Sequence, residues 1–353
     1  MTGTMSARRP GRFETAASFV RLSALGVTGF LPFLGAASSA TPLAPAARPV
    51  LAIMLAAVSF HIYAYVGNDV VDLPIDRTAP ARWCSPLVLG MVRPATAAAV
   101  AAAQVPIAAA EIWWGGGGVP GTAALLAACA LMLAYNLWGK RTGVPPVTDL
   151  AQGLGWAAFT LAGVFVAGRP GPATGWLIAF ITVYIVLANG VHGSIRDIRN
   201  DLRYAVRSTA ILLGARPGTG RSLSLPPAVV RYALGLQAIL IGLALAPAIA
   251  ARSPGTVAAV ALVAAASFAL LRAALRCVSD ERLLRSSGAL HLIATLVLPL
   301  AFLLSGMPRW LALALVVYFV APFLVNGWLR EAFRWGWWRN PDLLAPGAGD
   351  DSE

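Results

Sequence analysis

The sequence predicts an all-α polytopic membrane bundle, and three observations carry that expectation. Apolar, uncharged stretches long enough to cross a bilayer follow one another along most of the chain. The composition agrees, with 58% hydrophobic and 12% charged residues among 353. Basic residues also gather in every second connection, the pattern of a topology set by the inner leaflet. A net charge of +12 on its own suits a nucleic-acid binder as well, but the placement of the charges favours a membrane surface, and no nucleic-acid or protein partner is expected.

Ten candidate spans follow in order. The first, residues 17–37, comes after Arg8, Arg9 and Arg12 and closes on Gly35-Ala36-Ala37-Ser38-Ser39-Ala40. That small-residue run resembles a cleavage site, yet the segment is read as a retained member of the bundle. Arg21 lies within it, costly there unless it pairs or snorkels, and a carboxylate on an acceptor is one partner. The second span, 49–67, runs into Asn68-Asp69-Val70-Val71-Asp72-Leu73-Pro74-Ile75-Asp76. Spans 95–112 and 120–138 follow, and the fourth leads through Tyr135 to Lys140 and Arg141. Spans 149–167 and 174–194 come next, and the sixth carries His192 and hands over to Asp197-Ile198-Arg199-Asn200-Asp201. The remaining four are 228–250, 255–275, 287–305 and 310–328. Trp328, Trp335, Trp337 and Trp338 make the last an appended helix with an interfacial aromatic anchor. The chain therefore divides into an inner arm (1–16), a bundle (17–305), an extra helix (306–340) and a Gly-, Ala- and acid-rich tail (341–353) expected to be disordered.

With the N-terminus inside, 23 of the 27 Lys and Arg fall in inner segments, leaving Arg48, Arg169, Arg252 and Arg309 outside. The expected location is the cytoplasmic membrane, with both termini and both acidic stretches on the cytoplasmic side. Cys84, Cys129 and Cys277 have no metal-ligand spacing and imply neither a disulfide nor a zinc site.

The acids carry the chemistry. An i, i+4 spacing puts Asp72 and Asp76 on one helical face and Asp197 and Asp201 on another, and both pairs are offset by 125 residues. The chain thus reads as two parallel halves whose acids meet across a central cavity. Ordinary ion pairs with Arg77, Arg82, Arg199 and Arg203 are the plain alternative, which two sets at identical spacing disfavour. Clustered carboxylates stay ionised when divalent cations neutralise them, and Mg²⁺ carrying a diphosphate is the natural filling.

These residues resemble the UbiA-type intramembrane prenyltransferase family. Asn68, Asp69, Asp72 and Asp76 match its NDxxDxxxD motif, followed by Arg82 and Pro86-Leu87-x-x-Gly90. Asp197 and Asp201 match its DxxxD motif, followed by Arg207-Ser208-Thr209-Ala210-Ile211-Leu212-Leu213-Gly214. Tyr135, Lys140-Arg141 and Gln152-Gly153 form a weaker third match.

The resemblance implies a bundle usually of nine spans with a cavity open to lipid. It implies a transferase that moves an isoprenoid chain from a prenyl diphosphate to a small aromatic acceptor through an allylic cation. Asn68, Asp72, Asp76, Asp197 and Asp201, with Asp69 as helper, would hold Mg²⁺. Arg82, Lys140, Arg141, Arg207 and Asn68 would grip the diphosphate, with Asp72 and Asp197 central to catalysis. His192 is a candidate proton acceptor, with a core histidine bonded to a neighbouring helix as the plain alternative; His61 and His291 have weaker claims. Three departures stand out: Gly190, beside Asn189, replaces an acid expected seven residues before Asp197; Ser85 replaces an Arg before Pro86; and ten spans replace nine. A terpene cyclase sharing the ionisation step and, more remotely, a cation-coupled transporter are the competing readings.

Overall fold

The computed structural model describes residues 12–41, 43, 47–79, 82, 85–220, 222–276, 281–303 and 308–332. The helices are α1 (Arg12–Phe19), α2 (Leu22–Ser38), α3 (Ala47–Val71), α4 (Leu73–Asp76), α5 (Pro94–Trp114), α6 (Gly118–Trp138), α7 (Pro145–Ala167) and α8 (Pro172–Leu187). A π-helical turn, Ala188–Gly193, joins α8 to α9 (Ser194–Arg203) without interruption. Then come α10 (Thr209–Leu212), a two-residue hairpin of β1 (Arg216–Pro217) and β2 (Leu223–Ser224), α11 (Pro227–Ala250), α12 (Pro254–Arg276), α13 (Glu281–Leu296), α14 (Leu298–Leu303) and α15 (Arg309–Ala332).

The described residues of all ten expected segments are mostly helical, with breaks at Arg21 in the first and at Val297 in the ninth. Among the described residues, seven helices suffice by length and hydropathy to cross a membrane, α8 through α9 counting as one, or up to eight if the bent pair α1 and α2 is a single span. Residues 287–301 and 310–322 are shorter apolar helices, so a count of nine to ten is approximate. The expected anchor residues Trp335, Trp337 and Trp338, the tail 341–353, Arg8, Arg9, Cys84 and Cys277 lie outside the described residues.

Pro94, Pro145, Pro172 and Pro227 open their helices, where a missing N–H costs nothing and a fixed φ favours the first turn. Pro74 has the opposite effect at the first motif. In a helix interior its ring would clash with the carbonyl four residues back, so α3 stops at Val71 and the chain restarts as α4. Asp72 sits at that step with φ −85° and ψ 0°, yet the Asp76 amide still donates to the Asp72 carbonyl at 2.8 Å, which preserves the one-turn spacing of the acids.

The first span differs from the expectation of one helix over 17–37. It breaks at Arg21, whose φ of 48° is left-handed, and α1 and α2 meet at 46°. Beyond the bend, α2 and α7 pack backbone against backbone. A Cβ at Gly35 would collide with the Thr160 carbonyl, and one at Gly163 with the Pro32 carbonyl. On another face of α2, α15 lays Tyr318 and Phe319 against Phe33 and Phe30, with ring centroids 5.7 and 5.8 Å apart. The core under the first motif is aromatic: Phe60 stacks on Phe159 at 4.2 Å and meets Trp156 edge-on at 5.2 Å.

Candidate active site

The site grows from the end of α3. Asn68 Nδ2 donates to Asp72 Oδ2 at 3.1 Å, and the same oxygen lies 2.9 Å from Lys140 Nζ, which enters from just beyond α6. Arg82 spans the other two acids, with Nε 2.9 Å from Asp76 Oδ2 and Nη2 2.5 Å from Asp69 Oδ1. Arg21 also pairs with Asp69 and lies over the Tyr65 ring at 5.2 Å. The pairing that Arg21 needs within a span is thus met by an internal carboxylate, Asp69 of α3.

On the second motif, Arg196 holds Asp197 through two bonds of 2.9 and 2.7 Å. One turn on, Asp201 is buried beside Ser208, and its Oδ1 has no well-formed hydrogen bond. The motifs touch directly. Thr78 Oγ1 donates to Asn200 Oδ1 at 3.1 Å, and Asn200 Nδ2 donates to the Ile75 carbonyl at 3.3 Å across 125 residues of sequence, the offset of the acid pairs themselves.

Lys140 is the electrostatic link. Burial alone would lower its pKa, but Asp72 beside it and Asp201 and Asp197 further off reverse the effect, so it titrates above the usual 10.5. Burial raises Asp76 above the ordinary carboxylate value, against the pull of Arg82. Arg82 loses to burial and gains more from Asp69 and Asp76, ending above its ordinary value. The structure thus gathers Asn68, Asp69, Asp72, Asp76, Arg82, Lys140, Asp197 and Asp201 at one end of the bundle. Arg141 and Arg207 differ: both are exposed, Arg141 Nη1 donates to the Leu137 carbonyl at 3.4 Å, and Arg207 lies over Gly143.

Among the described residues no three His, Cys, Asp or Glu side chains stand close enough to hold a metal as they are. The reason is visible in the ion pairs: Asp69, Asp72, Asp76 and Asp197 are each turned onto a guanidinium or ammonium. The donor set nevertheless suits a hard divalent cation, being all oxygen, rich in carboxylate and including the orphaned Asp201 Oδ1.

His192 has two faces. Its Nε2 lies 2.9 Å from His291 Nδ1, the interhelical contact of a core histidine, while the ring also borders a cavity of about 140 Å³. His61 bonds Thr28 and the Val20 carbonyl, both at 2.7 Å, and so braces the α1–α2 bend.

Sequence reasoning missed Asp149. This buried carboxylate on α7 accepts from Asn189 Nδ2 at 2.6 Å and from Thr209 Oγ1 at 2.5 Å. Its Oδ2 would be 2.6 Å from a Cβ at Gly190. The acid absent from position 190 is thus replaced in space by one from another helix. Tyr135 joins the group by donating to Asn189 Oδ1 at 3.2 Å. A carboxylate in the first turns of an apolar span was the available signal.

The family model described as "UbiA prenyltransferase family" matches residues 29–286. No curated protein matches the chain. Among solved structures, an apo UbiA homologue from Aeropyrum pernix K1 is similar at TM-score 0.61 and 20% identity, over 81% of this chain and 98% of that one. A structure described as digeranylgeranylglyceryl phosphate synthase in membranes gives TM-score 0.60 and 16% identity over 84% and 98%. A UbiA homologue from Archaeoglobus fulgidus bound to GPP and Mg²⁺ gives 0.60 and 13% over 81% and 98%.

Proposed function

Since the chain belongs to the UbiA prenyltransferase family and is a membrane prenyltransferase, we propose that it transfers an isoprenoid chain from a prenyl diphosphate to a small aromatic acceptor, with Mg²⁺ as cofactor. Asn68, Asp72, Asp76, Asp197 and Asp201 would hold the metal, Asp69 acting mainly as the anchor of Arg21 and Arg82. Bound there, Mg²⁺ supplies charge neutralisation for a departing diphosphate. The solved Archaeoglobus fulgidus relative with GPP and Mg²⁺ supports the choice of both ligands.

The observation that carries this reading is Lys140, seated on Asp72 and held charged also by Asp197 and Asp201. An ammonium placed between two acidic motifs is a ready donor to diphosphate oxygens where charge develops as the allylic C–O bond breaks. Arg82, between Asp69 and Asp76, offers a second donor from the same side. Arg141 and Arg207 stand exposed at the rim, suited to attracting the diphosphate rather than orienting it. The aromatic group around Phe60, Trp156 and Tyr65, packed ring on ring, supplies dry apolar surroundings of the kind that protect a cation from water. The positive-inside count supports a cytoplasmic orientation for this end.

The test uses purified protein, a series of prenyl diphosphates and a panel of phenolic acceptors, with pyrophosphate release and product mass as readouts. Release that requires Mg²⁺ and vanishes in Asp72→Ala and Asp197→Ala is expected, together with a prenylated acceptor. Release that survives both substitutions overturns the reading, and a cyclic hydrocarbon formed without acceptor makes the enzyme a cyclase.

A further inference from the structure

We propose that the cavity beside the second motif is the acceptor's own subsite, built for a single hydroxyl-bearing ring whose O–H proton passes to His192 Nδ1; this rests on the transferase reading above. The cavity, about 140 Å³, lies between the π-turn and α9 on one side and α12 and α13 on the other. Volumes of roughly 150 Å³ hold a benzene ring. Its walls are Ala, Leu, Ile and Gly, and the polar side chains among its described lining residues are His192 and Arg196 alone.

What makes His192 an acceptor is a buried chain of hydrogen bonds that leads to it from α12. Gln237 Nε2 donates to Ser267 Oγ at 2.8 Å, which leaves Gln237 Oε1 facing His291 Nε2 at 2.9 Å. A carbonyl oxygen only accepts, so His291 carries its proton on Nε2. A buried imidazole without a counter-charge is neutral, and its Nδ1 is then bare. That bare nitrogen lies 2.9 Å from His192 Nε2, which must donate, and the same logic leaves His192 Nδ1 with a free lone pair. The far end closes on itself: Ser267 Oγ lies 2.6 Å from Thr295 Oγ1, which donates to the His291 carbonyl at 2.8 Å. Gln237, Ser267, His291 and Thr295 are all wholly buried, an expensive arrangement among apolar helices unless every member is satisfied.

Gly288 of α13 supports the assignment. A Cβ there would lie 2.7 Å from His192 Nδ1, so that the absence of a side chain keeps this one nitrogen uncovered. Arg196, one turn along from His192 on the same face, offers its positive charge to the oxyanion that forms.

The step balances without another reactant. The acceptor O–H gives its proton to His192 Nδ1, and the oxyanion's electron pair moves through the ring to form a C–C bond at the allylic carbon. The C–O electrons leave with the diphosphate. The new sp³ ring carbon then loses its hydrogen to the diphosphate, and the oxygen regains the proton held on His192. His291 and Gln237 are positioning residues, since their hydrogen-bond partners are His192, Ser267, Thr295 and one another, and neither lines the cavity.

The test is carbethoxylation of histidine by diethyl pyrocarbonate, read by peptide mass spectrometry on the full chain in detergent, with phenol and toluene as probes. His192 is expected to label and His291 to stay protected. Saturating phenol should slow His192 labelling at least fivefold, toluene should leave it within twofold, and Gly288→Ala should slow it in the absence of either. Labelling that phenol does not slow, or that reaches His291 as fast as His192, overturns the proposal. The comparison of phenol with toluene on the unaltered protein decides the matter even if Gly288→Ala fails to fold. No prenyl diphosphate is present, so a failed transferase assay and a failed footprint are separate results.

Discussion

Lys140 answers to three carboxylates, and its removal should be felt in two measurements. Lys140→Met is expected to slow Mg²⁺-dependent pyrophosphate release by about a hundredfold, the scale of losing one preorganised donor. Its effect on stability should follow the sign of the pKa shift. The folded value lies above 10.5, so the stabilisation by the ammonium is complete below that pH and fades only as pH rises through the higher folded value. The difference in melting temperature between wild type and Lys140→Met should therefore be flat from about pH 6 to 9 and narrow above about 10.5. Asp149 makes a second residue-scale case. Asp149→Ala strands the Asn189 and Thr209 donors and should cost about 1–3 kcal/mol. Gly190→Ala should cost about as much through overpacking against the carboxylate, since its Cβ would sit 2.6 Å from Oδ2. In the double variant the collision is gone, so unfolding midpoints should reveal coupling of about 1 kcal/mol or more; strict additivity would mean that the two positions do not share space.

The π-helical turn is the element on which the second motif depends. It inserts one extra residue into the run from α8 to α9, and one residue is roughly 100° of helix rotation. Inserting one alanine after Gly193 adds a residue that the turn does not absorb, and should rotate Asp197 and Asp201 by about 100°, away from Lys140. The expected result is a monodisperse, helical protein without Mg²⁺-dependent pyrophosphate release; retained release would show that the turn does not aim the acids. The helices themselves were legible because prolines mark their starts and charges their ends. The end of α3 was legible too, in Pro74. The π-turn was not, since Ala188–Gly193 carries no period that distinguishes five residues per bond from four. Asp149 escaped notice for a different reason: its partners Asn189 and Thr209 lie 40 and 60 residues away, and only the fold brings a hydroxyl and an amide onto it. Arg21 read as an intruder in a span because a left-handed bend in an apolar run leaves no trace in composition.

For the whole molecule, the bundle and its acidic end could be read from hydropathy and spacing, whereas the pairing of each acid with a particular cation could not. Spacing fixes which residues share a helix face, but side-chain reach across helices decides whether Asp69 meets Arg21 or a metal. The appended α15 supplies a test at this scale. It contributes the Tyr318 and Phe319 contacts to α2 and, among its described side chains, no charged group at the acidic end. A chain truncated before Arg309 should melt several degrees lower, about 1–3 kcal/mol in free energy, while keeping Mg²⁺-dependent pyrophosphate release; a loss of release would implicate α15 in the site.

The Gly35 and Gly163 notches constrain how a long lipid can reach the acids. Each glycine is roofed by a carbonyl of the opposing helix, so sliding α2 along α7 by one residue would drive a side chain into backbone on both sides. That seam works as a weld and has no play to offer as a door. An isoprenoid tail arriving sideways from the bilayer has to thread in elsewhere around the ring of helices, and a cross-link closing the weld should leave turnover unchanged.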